Sequence, residues 1–188
     1  HLEIDGVGIA GLRPRRRIDC ANAGTLMRLF AGILVGQTYG EVTLDGDDSL
    51  RRRPMSRIAT PLTAMGARIY TAPGGTPPLV ISPAEKLRGH RHELTLSSGQ
   101  VKSCLLLAGL SATGETWVSE PHLSRDHTER MLAACGVDVR HEGRAVGVVG
   151  PVEALSLPDL PVPGDFSSAA FHLVAGVLRA DPQIRLRG

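Results

Sequence analysis

Two short segments hold the residues best suited to chemistry. Asn22-Ala23-Gly24-Thr25, with Arg28 one turn on, and Ser98-Gly99-Gln100, with Lys102 one turn on, each place small polar residues ahead of an apolar stretch. A helix starting at such a point directs unpaired backbone N–H groups and the positive end of its dipole at the preceding loop. Gly24 and Gly99 carry no side chain to hold a ligand away. A phosphate or carboxylate fits that environment. One such segment is ordinarily a helix cap; two, each with a basic residue nearby, point to a small polyanion. Arg53, in Arg51-Arg52-Arg53-Pro54, and Arg125, in Ser124-Arg125-Asp126-His127, add guanidinium groups at matching turns. Arginine suits bidentate contact with carboxylate or phosphate.

Other chemistry is poorly represented. His90 with His92, and His122 with His127, do not match a zinc spacing. Asp47-Asp48 has no further ligand at the spacing of a Ca²⁺ loop. No nucleophile elbow, Walker loop or dinucleotide fingerprint occurs. No metal and no cofactor is expected. Arg13 to Arg17 reads as a solvated linker.

The helices that must position these residues follow from a repeat. Asn22–Thr25 leads to Ala31-Gly32-Ile33-Leu34, Ser97–Gln100 to Ala108-Gly109-Leu110, and Gly164–Ser168 to Ala175-Gly176-Val177-Leu178. Gly40-Glu41-Val42-Thr43-Leu44 and Gly114-Glu115-Thr116-Trp117-Val118 read as strands leaving a glycine turn. Second helices are expected over Pro54 to Met65 and Asp126 to Cys135. Each closes on a glycine cap and a short strand, at Gly66 and Gly136. Pro54 suits a first helical turn, and Pro61 is expected to kink its helix. The resulting unit, βαβαββ over roughly 70 residues, is a repeated supersecondary module. Residues 17–82 form one copy and 91–150 a second. Residues 156–188 open a third, and 1–13 read as the tail of an earlier one. Pro73 to Pro78 and Pro151 to Pro163 are the expected breaks. The fold class is α/β.

Composition bounds the rest. The 188 residues carry a formal charge of +2, with 42% hydrophobic and only 3% aromatic side chains, so the core is aliphatic. That charge and the scarcity of stacking rings disfavour a nucleic-acid partner. No apolar run reaches the roughly 20 residues that span a bilayer. Cys20, Cys104 and Cys135 are odd in number and widely spaced, which reads as buried, reduced thiols in a cytoplasmic protein. The chain starts at His1 and stops just after an apolar run, and reads as an internal piece of a longer protein.

Five segments in order resemble the 5-enolpyruvylshikimate-3-phosphate synthase family. They are Asp19 to Arg28, Arg53-Pro54-Met55, Ser98 to Ser103, Ser124 to Leu132, and Pro163 to Ala170. Together they span nearly the whole chain. The resemblance implies two-domain proteins whose domains each contain three such units around a pseudo-threefold axis, helices inside and sheets outside. The first unit is then incomplete here, residues 1–155 belong to one domain, and 156–188 cross the hinge into the second.

The implied reaction moves the enolpyruvyl group of phosphoenolpyruvate to the 5-hydroxyl of shikimate 3-phosphate and releases phosphate. By the same resemblance, Asn22, Gly24, Arg53 and Gln100 hold phosphoenolpyruvate, and Ser98, Gly99, Gln100 and Arg125 hold shikimate 3-phosphate. Arg28 and Lys102 are supporting charges, and Asp165 organises the cleft near the hinge. Gly24 implies sensitivity to glyphosate. Partners are small molecules, without nucleic acid or membrane, in a monomeric full-length protein. The family's N-terminal Lys-Ser loop and most of its second domain, with the proton-transfer groups, have no counterpart in these residues. The isolated chain is therefore expected to be inactive, with no catalytic residue of its own. The sister UDP-N-acetylglucosamine enolpyruvyl transferases carry a cysteine loop where Leu50 to Pro54 stands, and no cysteine lies between Cys20 and Cys104. A binding domain related to RNA 3′-phosphate cyclases predicts a basic face, against the near-neutral charge.

Overall fold

The computed structural model describes residue 3, residues 5–157, residue 159, residues 164–179 and residues 184–186. The chain divides into two compact units, His1–Leu157 and Pro158–Gly188. The first contains two copies of one topology. Copy one runs β1 (Arg17–Asp19), α1 (Gly24–Leu34), β2 (Val42–Asp45), a 3-10 turn at Leu50–Arg52, α2 (Ser56–Ala64), β3 (Arg68–Ala72) and β4 (Thr76–Ser82). Copy two runs β5 (Arg91–Glu93), α3 (Gly99–Gly109), β6 (Gly114–Ser119), α4 (His127–Ala134), β7 (Val139–Glu142) and β8 (Ala145–Gly150). The sheets have orders β1-β2-β4-β3 and β5-β6-β8-β7. In each, the first two strands are parallel and the remaining pairs antiparallel. Parallel neighbours need a crossover, which α1 and α3 supply, whereas a tight turn suffices for the final hairpin. The α/β class and the repeated unit are as expected.

The crossover helices form the interior. Every α3 residue from Val101 to Leu106 is buried, as are Ala108 and Gly109. Helix α1 buries Met27, Ala31 and Leu34. Each fully buried Leu or Met side chain contributes about 1.5–3 kcal/mol. The two helices meet at Gly32, where an added Cβ would lie 2.2 Å from the Cys104 carbonyl oxygen. Only glycine permits that approach. Gln100 at the start of α3 hydrogen-bonds Thr25 at the start of α1 (2.7 Å), so the N-termini of the two helices are neighbours.

Several local expectations change. Helix α2 begins at Ser56, so Pro54 stands two residues before it rather than in its first turn. Pro61 lies inside α2, which continues to Ala64. Residues 73–78 are no break: they make the β3–β4 turn and the start of β4. Pro77 and Pro78 are tolerated there because β2 pairs with β4 only from Leu79 onward, and the β3 register shifts between Tyr70 and Ala72. Among described residues 5–13 there is no strand; Gln37 ties them down through Leu12 N (3.1 Å) and the Ile9 carbonyl (2.7 Å). In the second unit, α5 (Phe166–Leu178) starts where the third copy was expected. Residues 158 and 160–163, within the expected second break, lie outside the described residues.

Candidate functional site

Helix α1 lacks the side-chain cap that Asn22 was expected to provide, and its N-cap position is Ala23. The reason is that Asn22 is engaged elsewhere. Its Nδ2 donates to Asp47 Oδ2 at 2.7 Å, and its Oδ1 accepts from Arg53 Nη2 at 2.6 Å. The loop also holds Ala21 in the left-handed region, with φ of 46°, which costs a non-glycine residue roughly 1–2 kcal/mol. The hydrogen bond from Asn22, followed by that from Leu50 N, keeps the Asp47 carboxyl below its ordinary range. Asn22 thus relays between a carboxylate and a guanidinium, and fixes the latter over the start of α1.

Gly24 sits beneath two guanidinium groups. An added Cβ would lie 2.9 Å from Arg53 Nη1 and 3.1 Å from Arg28 Nη1. Arg28 is 8% exposed, and its Nε has no hydrogen-bond partner among the described residues. Burial pulls its pKa down first, and then the like charges of Arg57 and Arg53. No carboxylate lies within ion-pair distance of Arg28 or Arg53 among the described residues. A buried guanidinium with an idle donor and a second one beside it have the chemistry to receive an anion.

The start of α3 is built differently. Ser98 is its N-cap, accepting from Val101 N at 3.4 Å. Behind it, Glu120 accepts from Ser98 N at 2.8 Å and from Ser124 Oγ at 2.7 Å. Lys102 lies between Glu120 (3.1 Å) and Glu129 (2.6 Å), with side-chain exposures of 5%, 1% and 9% for the three. Burial alone would lower the Lys102 pKa, but the hydrogen bonds to Glu129 and Glu120 raise it overall. Burial would raise that of Glu120, yet the bonds from Ser124, Ser98 and Lys102 bring it down. Through Glu120 the triad joins the Ser98 and Ser124 loops.

Those loops border a cleft of about 600 Å³, which Thr25, Ser98, Gly99, Gln100, Ser124 and Arg125 line. Gln100 joins the two helix starts: its Oε1 accepts from Arg28 Nη1 at 2.5 Å and its Nε2 donates to Thr25 Oγ1 at 2.7 Å. Asn22, Gly24, Arg28, Arg53 and Gln100 therefore form one connected group, and Ser98, Gly99, Gln100 and Arg125 border one cleft. Lys102 stands apart from both, committed to Glu120 and Glu129 beneath the loop. Asp165 belongs to the second unit, where it caps α5 by accepting from Ser167 N (2.9 Å) and Ser168 N (3.1 Å). Sequence reasoning named Thr25 in its motif without a role, set His127 aside, and missed Glu120. Only three-dimensional contact reveals them, although a glutamate ahead of a Ser-Arg turn could have suggested a partner for Lys102.

The sequence profile of the EPSP synthase (3-phosphoshikimate 1-carboxyvinyltransferase) family matches residues 4–188. The chain belongs to the EPSP synthase family. It is 50% identical to a 3-phosphoshikimate 1-carboxyvinyltransferase of Alkalilimnicola ehrlichii over 187 residues, 99% of this chain and 42% of that protein. A namesake from Methylococcus capsulatus is 48% identical over 188 residues, 100% of this chain and 43% of that protein. A solved structure of EPSP synthase from Acinetobacter baumannii superposes with a TM-score of 0.83 at 47% identity, over 91% of this chain and 38% of that one. The chain thus spans about two fifths of the length of the relatives it matches.

Proposed function

We propose that this chain supplies the anion-holding part of an enolpyruvyl transferase site. Phosphoenolpyruvate is held by Asn22, Gly24, Arg53 and Gln100, with Arg28 supporting. Shikimate 3-phosphate is held by Ser98, Gly99, Gln100 and Arg125. The observation that carries this reading is the pair of guanidinium groups over Gly24 with no carboxylate at ion-pair distance, of which Arg28 donates to Gln100 at the neighbouring helix start and Arg53 to Asn22. The transfer forms a bond from the 5-hydroxyl oxygen to C2 of the enolpyruvyl group and protonates C3. Loss of phosphate from C2 and of a proton from C3 then restores the enol ether. Two polyanions must be brought together for this, so fixed cations and backbone N–H groups in a shared cleft are the required chemistry.

The cleft lining includes one imidazole, His127, and no carboxylate, and its other polar side chains are suited to holding substrates. Glu120, behind the Ser98 and Ser124 loops, is buried and committed to Lys102, Ser98 and Ser124. We therefore infer that the chain alone binds substrate without turnover, and that the full reaction draws its acid and base from elsewhere in the protein. We also place the reaction in the cytoplasm, with small molecules as partners, in a protein that acts as a monomer without nucleic acid. Three buried, unpaired cysteines suit that reducing compartment. No described helix is long and apolar enough to cross a membrane.

Calorimetric titration with shikimate 3-phosphate tests the reading. Arg125→Ala is expected to weaken binding by about 1.5–3 kcal/mol, the loss of one charge-assisted contact. Unchanged affinity would mean that Arg125 is merely solvated. A phosphate-release assay on the isolated chain is expected to stay at background, and clear turnover would overturn the inference of inactivity.

A further inference from the structure

Most polar side chains in the cleft ahead of α3 already have partners. Gln100 bonds Thr25, Ser98 caps α3, Ser124 donates to Glu120, and the Ser103 and Thr128 hydroxyls pair at 2.7 Å. Two lining residues differ. The Arg125 guanidinium and the His127 imidazole have no hydrogen-bond or ion-pair partner among the described residues, and no carboxylate lines the cleft. Arg125 already has a place in the proposed site. The sequence gives His127 no role beyond a spacing that fits no zinc site.

The surrounding contacts fix where His127 stands. Arg125 lies beside Gly99, with its N and Cβ each 3.8 Å from the point that a Gly99 Cβ would occupy. Thr128 pairs with Ser103, and Glu129 meets Lys102 at 2.6 Å. Gly99 and Ser103 are one turn apart on α3, about 6 Å along its axis. Residues 125–128 therefore run alongside the first turn of α3, held at both ends. His127, the first residue of α4, lies within that held stretch and borders the cleft. A ring N–H and a guanidinium are both donors suited to a phosphate oxygen. Behind them, Lys102, Glu120 and Glu129 engage one another rather than the cleft.

We propose that His127 is a further substrate-holding residue of this cleft, donating a ring N–H to the phosphate group of shikimate 3-phosphate beside Arg125. The assignment rests on reading the cleft as the shikimate 3-phosphate site. It adds a residue that contributes from α4, where Arg125 contributes from the loop before it. His127 then helps the cleft tell shikimate 3-phosphate from shikimate, because the unphosphorylated acid offers that N–H no phosphate oxygen.

The test titrates the 188-residue chain with shikimate 3-phosphate and, separately, with shikimate, followed by NMR of backbone amides and histidine rings. His127→Ala is expected to weaken shikimate 3-phosphate binding about three- to tenfold and shikimate binding less than about twofold, the scale of one phosphate contact. His127→Asn, which keeps an N–H donor, is expected to recover part of the loss. A merely structural histidine would weaken both ligands alike. In the parent chain, the His127 ring signals are expected to shift with the same midpoint as the Gly99 amide, a readout that needs no variant. If Arg125→Ala weakens shikimate 3-phosphate binding while His127→Ala leaves it unchanged, or if the His127 ring signals stay still, the His127 assignment is wrong and the cleft reading stands. If shikimate 3-phosphate gives no saturable shifts at Gly99 and Gln100, the cleft reading itself is wrong and His127 falls with it.

Discussion

The starts of α1 and α3 occupy equivalent places in the two repeats, yet they solve opposite electrostatic problems. At α1 the cations are left uncompensated: Arg28 is buried without a carboxylate, and Asn22 abandons capping to hold Arg53. At α3 the cation is fully compensated: Lys102 is enclosed by Glu120 and Glu129, and Ser98 caps its helix. One loop therefore leaves positive charge without a carboxylate at ion-pair distance. The other places backbone N–H groups and hydroxyls on a support whose one lysine is matched by two carboxylates, with Arg125 as the exposed charge beside them. The same topology and similar residue types serve both designs, and the difference lies in where the carboxylates are.

Breaking the α3 support gives the largest expected effect. Lys102→Met leaves Glu120 and Glu129 buried without a counter-ion, a loss of about 3–5 kcal/mol in chemical denaturation. Arg53→Ala, beside the start of α1, is expected to change stability by no more than about 0.5 kcal/mol, while weakening anion binding. Similar stability losses in the two variants would erase the distinction between a supporting and a presenting cation.

Acid titration separates the repeats more finely. In the first, Asp45 is held at about 2, chiefly by the Arg51 hydrogen bond. In the second, Glu120 is also depressed, though burial opposes the shift. A carboxyl lowered on folding stabilises the protein above its unfolded pKa, and that contribution disappears as pH falls through the folded value. Stability is thus expected to decline from about pH 4 toward pH 2. With Arg17 and Arg51 well exposed, solvent screening limits the Asp45 share to about 1 kcal/mol. Asp45→Asn is expected to flatten this part of the curve by that amount, and an unaltered acid limb would count against the Asp45 pairings.

The smallest effects compare the two glycines. A methyl group at Gly24 meets Arg53 Nη1 at 2.9 Å and Arg28 Nη1 at 3.1 Å, so both guanidinium tips must shift. At Gly99 the nearest atom is Ser124 Oγ at 3.6 Å, an ordinary contact. Gly24→Ala is expected to weaken phosphate binding by about 1 kcal/mol, the scale of one distorted hydrogen bond, and Gly99→Ala to leave it unchanged. Equal responses in the same titration would place the arginines elsewhere than the structure has them.

Much of this was legible in the residues. The βαβαββ repeat could be read because glycine caps at Gly66 and Gly136, small-residue helix starts and apolar runs recur in step. Asn22, Gly24, Arg53, Ser98 and Arg125 stood out because anion-binding residue types have a recognisable spacing. What could not be read were the long-range choices. Nothing local says that Asn22 bonds Asp47 and Arg53 instead of capping its own helix. Nor does sequence show that Lys102 turns away to Glu120, 18 residues later. The strand prolines Pro77 and Pro78 mimicked a break because the register shift that accommodates them belongs to the sheet, not to the segment.

The most direct trial of the central claim is amide NMR of the chain titrated with shikimate 3-phosphate. Saturable shifts are expected at Gly24, Thr25, Gly99 and Gln100, with the largest changes at the two helix starts together. Shifts confined to Arg13–Arg17 or to the outer sheet faces, or none at all, would contradict a shared pocket for phosphorylated acids.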